Sequence, residues 1–314
     1  MAMSTSGPIS FNDLRTETGI SGAISISDGK VLDLIGRVNN VDMATARGKT
    51  SSFSITITAS DSRRFITTMA YDAGWQGTGD LYAAIGFGTV SSTIVTGQNS
   101  WGEIHLVIFG YLAGKGGNGG RGLGGVTDSG AFNTIVNIDY RNGDSGGDGL
   151  VVSAPPYNRV QRLVRLTNYG TIAAGGGGGG GGDAIAAGTG AGDVDMVGGG
   201  GGGGGAGNAA GSPGGGGIAS VINGGGSSVN GDGGYMANLQ DPADGGAAGV
   251  MPRFTNFVGG RGGRGGVPGA GGAAGGANSV NWGYQGSGGA AGYAVIGYSN
   301  LTVALAGTII GTLG

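Results

Sequence analysis

Residues 175–182 read GGGGGGGG, and residues 198–205 repeat the same eight glycines. Around these runs the spacing loosens into a pattern of three. Arg261, Arg264, Val267, Ala270 and Ala273 recur at every third residue, mostly separated by Gly-Gly, and Lys115, Asn118 and Arg121 do the same. A period of three is neither the 3.6 of an α-helix nor the 2 of a strand. It is the period of a polyproline-II-type helix, which rises about 3.1 Å per residue. That helix makes no internal hydrogen bonds, so every backbone N–H and C=O needs a partner elsewhere. Chains of bare glycine can approach closely enough to bond to one another, and Cα–H···O contacts add a little. A side chain fits only where its third of the helix faces out. Gly-Gly-x repeats therefore suit an outer layer and unbroken runs a central one, each run spanning about 25 Å.

The glycine is concentrated. Of 314 residues 82 are Gly, and 68 of these fall in 111–314. Glycine-rich sequence often marks a flexible linker. Here apolar segments interrupt it: Ile135-Val-Asn-Ile138, Leu163-Val-Arg-Leu166, Phe254 to Val258, and Trp282. The end, Tyr293 to Leu305, reads as paired strands. Apolar strands on both sides of the runs favour an ordered fold over a disordered tail.

Composition excludes several functions. With 7 Pro the chain is not collagen-like. With no Cys it has no disulfide, zinc knuckle or thiol nucleophile. One His and a net charge of −3 leave no His-rich metal site and no basic stripe for nucleic acid. No apolar run reaches the length of a membrane span, and the start lacks the features of a signal peptide. His105, in an alternating strand, is read as structural or exposed. Gly48-Lys-Thr50 resembles the end of a P-loop, but Met43 stands where its first Gly belongs. Asp193 and Asp195 are read as a solvated turn. No cofactor, no metal and no catalytic residue is expected, and the chain is read as a non-enzyme.

The N-terminal third differs. Ile9-Ser-Phe-Asn-Asp13 and Ile24-Ser-Ile-Ser-Asp28 form a short repeat with a step of 15, each with a Ser-x-x-acid helix start. Gly19 and Gly36 are plausible stops. Residues 8–48 are read as two or three helical turns, too small to be a domain alone. Phe53 to Thr58, Ser92 to Thr96 and Glu103 to Phe109 read as strands, with a short helix over Phe65 to Ala73. The expected organisation is an attachment segment at 1–50, a small β-rich domain at 51–113 and a Gly-rich lattice at 114–314 ending in a β-hairpin. The fold class is mainly β with a polyglycine-II helix sandwich.

These residues carry a resemblance. Ile9 to Leu14, then Ile24 to Asp28 and Val31-Leu-Asp-Leu-Ile-Gly36, resemble a segment near the N-termini of tailed-phage virion and tail-fibre proteins. The third element of that pattern is looser, because Val41 to Thr50 lacks its aromatic residue. Ala73 to Gly77, Leu106 to Arg121, Gly147 to Val152, Leu166 to Gly177 and Tyr293 to Thr302 are similar to phage fibre sequence in the same order. The resemblance implies a receptor-binding adhesin at a tail tip, built like the polyglycine-sandwich adhesins of T-even-like long tail fibres. It implies host outer-membrane protein or surface polysaccharide as the bound partner, other phage tail proteins as assembly partners, and a location on the virion. A homotrimer and a single capping monomer both fit a self-bonded lattice.

Function then lives in loops on a rigid scaffold. The candidate loops are Ser153–Arg162, Ser227–Asp244, Val250–Val258 and Ala277–Gln285. They carry Tyr157, Tyr235, Met236, Arg253, Phe254, Phe257, Trp282 and Tyr284 as candidate receptor contacts. Ile9, Phe11, Leu14, Ile24, Ile26, Leu32 and Ile35 are the candidate virion-attachment residues. Two other readings stay open: a structural fibre or head-decoration protein without a receptor, and an ice-binding polyglycine protein, against which the absence of Cys and the β-rich N-terminal third weigh.

Overall fold

The computed structural model describes residues 11–21, 52–58, 64–77, 79–88, 90–91, 94–96, 103–128, 131–136, 140–153, 164–188, 194–222, 228–229, 231–232, 234–235, 237–250, 258–278 and 284–314. Strands predominate, and two short α-helices occur among the described residues. The chain divides into two compact units. One comprises Met1–Tyr111, Val151–Thr171 and Gly297–Thr308, the other Leu112–Leu150, Ile172–Ile296 and Ile309–Gly314.

In the first unit, helix α1 (Phe11–Thr18) buries Leu14, and the Thr18 hydroxyl donates to the Leu14 carbonyl at 2.7 Å. It stops at Gly19, whose φ of 65° places it in the left-handed region and whose N–H donates to the Arg15 carbonyl. Helix α2 (Ile66–Asp72) buries Ile66 and Ala70. Beyond it the Trp75 N–H bonds the Ala70 carbonyl at 2.8 Å, and the buried Trp75 ring packs on Tyr71.

Five strands form the main sheet: β1 (Ser52–Ile57), β2 (Asp80–Ile85), β3 (Ile104–Ile108), β4 (Val164–Asn168) and β5 (Leu301–Leu305). Each pairs in parallel with the strand before it. The chain therefore completes one turn between neighbours, the winding of a solenoid. Alternation sends one set of side chains inward and stacks like on like across the register. Leu81, Ile104 and Val164 form one buried row, Ala83, Leu106 and Leu166 the next. The expected strand at Ser92–Thr96 is described only as the short pieces Val90–Ser91 and Ile94–Val95. Outside the sheet, just past the ends of three successive strands, Phe109 stacks on Tyr169 with centroids 5.1 Å apart and packs at a tilt on Phe87 at 4.6 Å.

A third inward row runs Ile57, Ile85, Ile108 and then breaks its apolar pattern at Asn168, which is fully buried. The Asn168 amide donates to the carbonyls of Ala306 at 2.6 Å and Thr308 at 3.2 Å, and its oxygen accepts from the Gly170 N–H at 3.0 Å. A buried amide with its partners satisfied fixes the path of the chain after β5. Asn168→Leu takes the amide donor from the Ala306 and Thr308 carbonyls and leaves the Gly170 N–H with the Ile108 carbonyl alone, and it is expected to cost about 2–4 kcal/mol, read as a lower denaturant midpoint at unchanged m-value. A loss within about 0.5 kcal/mol would show that these bonds do not hold the turn.

The intervals between β3 and β4 and between β4 and β5 contain the Gly-rich segments, which make up the second unit. Their backbones bond to neighbours in strict rotation. The N–H groups of Gly175, Gly176 and Gly177 donate to the carbonyls of Gly147, Ala206 and Ala270. The next three donate to Asp144, Gly203 and Ala273, and the following three, Gly181, Gly182 and Asp183, to Arg141, Gly200 and Gly276, all at 2.6–3.1 Å. Three segments thus receive bonds in turn, each at every third residue. The run from Gly199 to Gly207 rotates likewise. Its N–H groups donate to Leu123, Gly260 and Asp232, then to Gly120, Gly263 and Tyr235, and finally to Gly117, Gly266 and Asn238. Residues 174–185 and 197–207 are buried throughout. The surrounding segments are buried at every third position: Gly260, Gly263 and Gly266 are buried beside exposed Arg261, Arg264 and Val267.

The expected hairpin at Tyr293–Leu305 is corrected. Both strands exist, but Tyr293–Ile296 pairs in parallel with Thr312–Leu313, and β5 pairs with β4. Gly297, at φ 72°, and the 3-10 turn Tyr298–Asn300 carry the chain from one sheet to the other instead of folding it back.

Candidate functional site

The hydrogen-bond register fixes which ends of the Gly-rich segments lie together. At one end Arg121 bonds Tyr140, Leu123 bonds Gly182, Gly182 bonds Gly200, Gly217 bonds Gly199, Gly231 bonds Gly217, and Gly249 bonds Gly198. At the same level Gly260 bonds Asp183, Asp183 bonds Gly276, and Gly286 bonds Gly181. Five chain connections leave from this level: 124–140, 185–197, 219–230, 250–258 and 279–284. At the opposite level Gly116 bonds Ala209, Gly207 bonds Asn238, Asn238 bonds Asp241, and Gly269 bonds Ala174. The connections there, 207–210, 238–242 and 267–270, are short.

The five-connection end is built up by two small sheets. Gly124–Asp128 pairs antiparallel with Ala131–Val136 and parallel with Ala219–Ile222. Ile185–Gly188 pairs antiparallel with Val194–Val197, which pairs parallel with Ser228–Val229. An isolated bridge between Val250 and Val258 closes the fourth connection. Asp183, which is 1% exposed, stands at the end of the central glycine run and ties the fifth. Its carboxylate accepts from the Asn278 amide at 3.2 Å and from the Tyr284 N–H at 3.4 Å.

The candidate contacts separate on this frame. Arg253, Phe254 and Phe257 belong to the fourth connection and Trp282 to the fifth; these four, with Tyr157 and Met236, lie outside the described residues. Tyr284 is exposed where the fifth connection rejoins the bundle. Tyr235 is also exposed, but it sits along a Gly-rich segment, where its N–H bonds the Asp244 carbonyl at 3.1 Å. Tyr157 falls between Val151 and Val164, in the first unit. The sequence reading missed the connections at 124–140, 185–197 and most of 219–230. Counting alternations between Gly runs from one end of the bundle would have found them. Among the candidate attachment residues Leu14 is buried and Phe11 begins α1, whereas Ile9, Ile24, Ile26, Leu32 and Ile35 lie outside the described residues.

His105 faces outward from β3. Its ring stacks on Tyr82 with centroids 4.3 Å apart, and its Nε2 lies 3.5 Å from Glu103 and 3.9 Å from Asp80. Glu103 also accepts from Arg165 Nε at 2.7 Å, and this bond raises the guanidinium above its ordinary pKa. Among the described residues no three His, Cys, Asp or Glu side chains are placed to hold a metal, and no helix is long and apolar enough to cross a membrane.

No protein-family model matches the sequence, and no curated protein matches it. A solved structure does match in fold. It is the crystal structure of the gp37–gp38 adhesin tip complex of the bacteriophage S16 long tail fiber; the match covers 99% of this chain and 100% of that one, at a TM-score of 0.55 and 22% identity. The fold is similar to that of a phage adhesin tip. The adhesin-tip likeness spans the wound sheet and the Gly-rich bundle alike, since it covers both chains over their length. At this identity it is a likeness of fold, and what the chain binds is argued from its own residues.

Proposed function

We propose that the chain is a phage tail-fibre adhesin whose Gly-rich segments form a polyglycine-II sandwich, and that the five connections at one end of this sandwich form the host-binding face. Bonds that rotate among three neighbours and burial at every third residue support the polyglycine-II reading. The observation that carries the function is the asymmetry of the two ends. The long connections hold Arg253, Phe254, Phe257, Trp282 and Tyr284, while the short ones at 207–210, 238–242 and 267–270 hold no aromatic residue and no Arg. Aromatic and Arg side chains are the usual anchors of binding surfaces. A bundle whose central segments donate a backbone bond at every residue lets those connections vary without disturbing the core. The proposed partner is a host outer-membrane protein or surface polysaccharide.

On this reading residues 1–50, with α1 and its buried Leu14, join the chain to other tail proteins, and the protein acts on the virion surface. Adsorption competition tests the reading. Purified folded protein added to host cells before its phage is expected to block adsorption in proportion to dose. Absence of blocking by protein assembled as in the virion would favour a structural fibre or decoration protein instead.

A further inference from the structure

We infer that Asp183 is a positioning residue that holds both ends of the 279–283 connection in register, an inference that rests on the adhesin reading only for its consequence in binding. Every residue from Gly175 to Gly182 is glycine, because a Cβ there would run into neighbouring backbone. Asp183 is the first position where the run admits a functional side chain, and that side chain is a carboxylate at 1% exposure. Burying a carboxylate is unfavourable unless donors surround it. Two of its donors, among the described residues, come from the two ends of one connection: the Asn278 side chain, itself 5% exposed, and the Tyr284 backbone N–H. The Asn278 amide also donates to the Ala184 carbonyl at 2.6 Å, so one amide holds two successive residues of the central segment. The Asp183 backbone adds two more ties, its N–H to the Gly276 carbonyl at 3.1 Å and its C=O from the Gly260 N–H at 2.7 Å. Segments entering and leaving the connection that carries Trp282 are thereby fixed against a central, fully buried segment of the bundle. A preorganised connection loses less freedom on binding and so binds more tightly.

Amide hydrogen exchange tests this in the full-length protein. In Asp183→Ala the Tyr284 amide is expected to exchange at least about 100-fold faster, while amides of Gly178 and Gly203 keep their protection. Asp183→Asn, whose amide oxygen can still accept, should keep most of the Tyr284 protection, and Asn278→Ala should show an intermediate loss. Unchanged exchange at Tyr284 in Asp183→Ala overturns the inference. Equal acceleration at Gly178 and Gly203 also overturns it, since the carboxylate would then be supporting the whole bundle. Adsorption competition is run in parallel. Wild-type protein that fails to compete, alongside selective loosening at Tyr284, sinks the adhesin reading and leaves the positioning role standing. Wild-type protein that competes, with Asp183→Ala weakened at least about tenfold, supports both.

Discussion

Gly202→Val is expected to prevent the second unit from folding, whereas Gly215→Ala is expected to leave it intact. The two glycines lie in the same bundle and differ in surroundings. A Cβ on Gly202 would collide with the backbone carbonyl of Gly179, and the backbone atoms of Gly180 stand just beyond it. The colliding atoms belong to a central segment bonded on all sides, so no flexible side chain can move aside. Overpacking of a rigid core ordinarily costs about 1–3 kcal/mol. Here the segments must separate, which also breaks their rotating bonds, and a loss of about 4 kcal/mol or more is expected. A Cβ on Gly215 meets nothing within 4 Å, and the residue is exposed. Replacing it removes backbone freedom from the unfolded chain, and a change between zero and a gain of about 1 kcal/mol follows. Thermal melts followed by circular dichroism distinguish the pair. Similar melts for both variants would show that close backbone packing does not specify this unit.

Exchange of residues 251–257 for a Gly-Ser segment of equal length is expected to lower adsorption at least about tenfold, with a melting temperature within about 2 °C of the parent. Loss of a single aromatic anchor costs about 2 kcal/mol in a typical interface, which is about thirty-fold in Kd. This segment carries Arg253, Phe254 and Phe257 together. The bridge between Val250 and Val258 and the bond from the Gly259 N–H to the Gly249 carbonyl close it off from the bundle, which is why stability should hold. The same exchange at 208–210, on the opposite end, is expected to leave adsorption unchanged. If 208–210 weakens adsorption and 251–257 does not, the binding face has been assigned to the wrong end.

Much of the local structure was readable from the residues. Gly19 stops α1 because a helix C-terminus needs a left-handed residue there, and that need is local. Residues 66–72 are helical and 104–108 extended as the periodicity expects, since in both cases one face has to be buried. The terminal strands at 293–296 and 301–305 were also readable as strands, but not their partners. Two apolar strands close in sequence suggest a hairpin. Gly297 and the turn after it send them to different parallel neighbours, one just downstream at Thr312–Leu313 and the other far upstream at Val164–Asn168.

Taken alone, the sequence determined the period of three, the recurrence of glycine at one position or more in three along the outer segments, and the absence of thiol chemistry. These depend on residue type and spacing, which the chain displays directly. The tertiary structure decided the rest. It decided that Val164–Asn168 and Leu301–Leu305, which interrupt the Gly-rich sequence, complete a sheet begun at Ser52. It decided that connections at 124–140, 185–197, 219–230, 250–258 and 279–284 share one end, and that Asp183 lies between two arms of the last. A glycine carries no side chain to record its neighbours. Which segments touch is settled only by backbone bonds between residues distant in sequence.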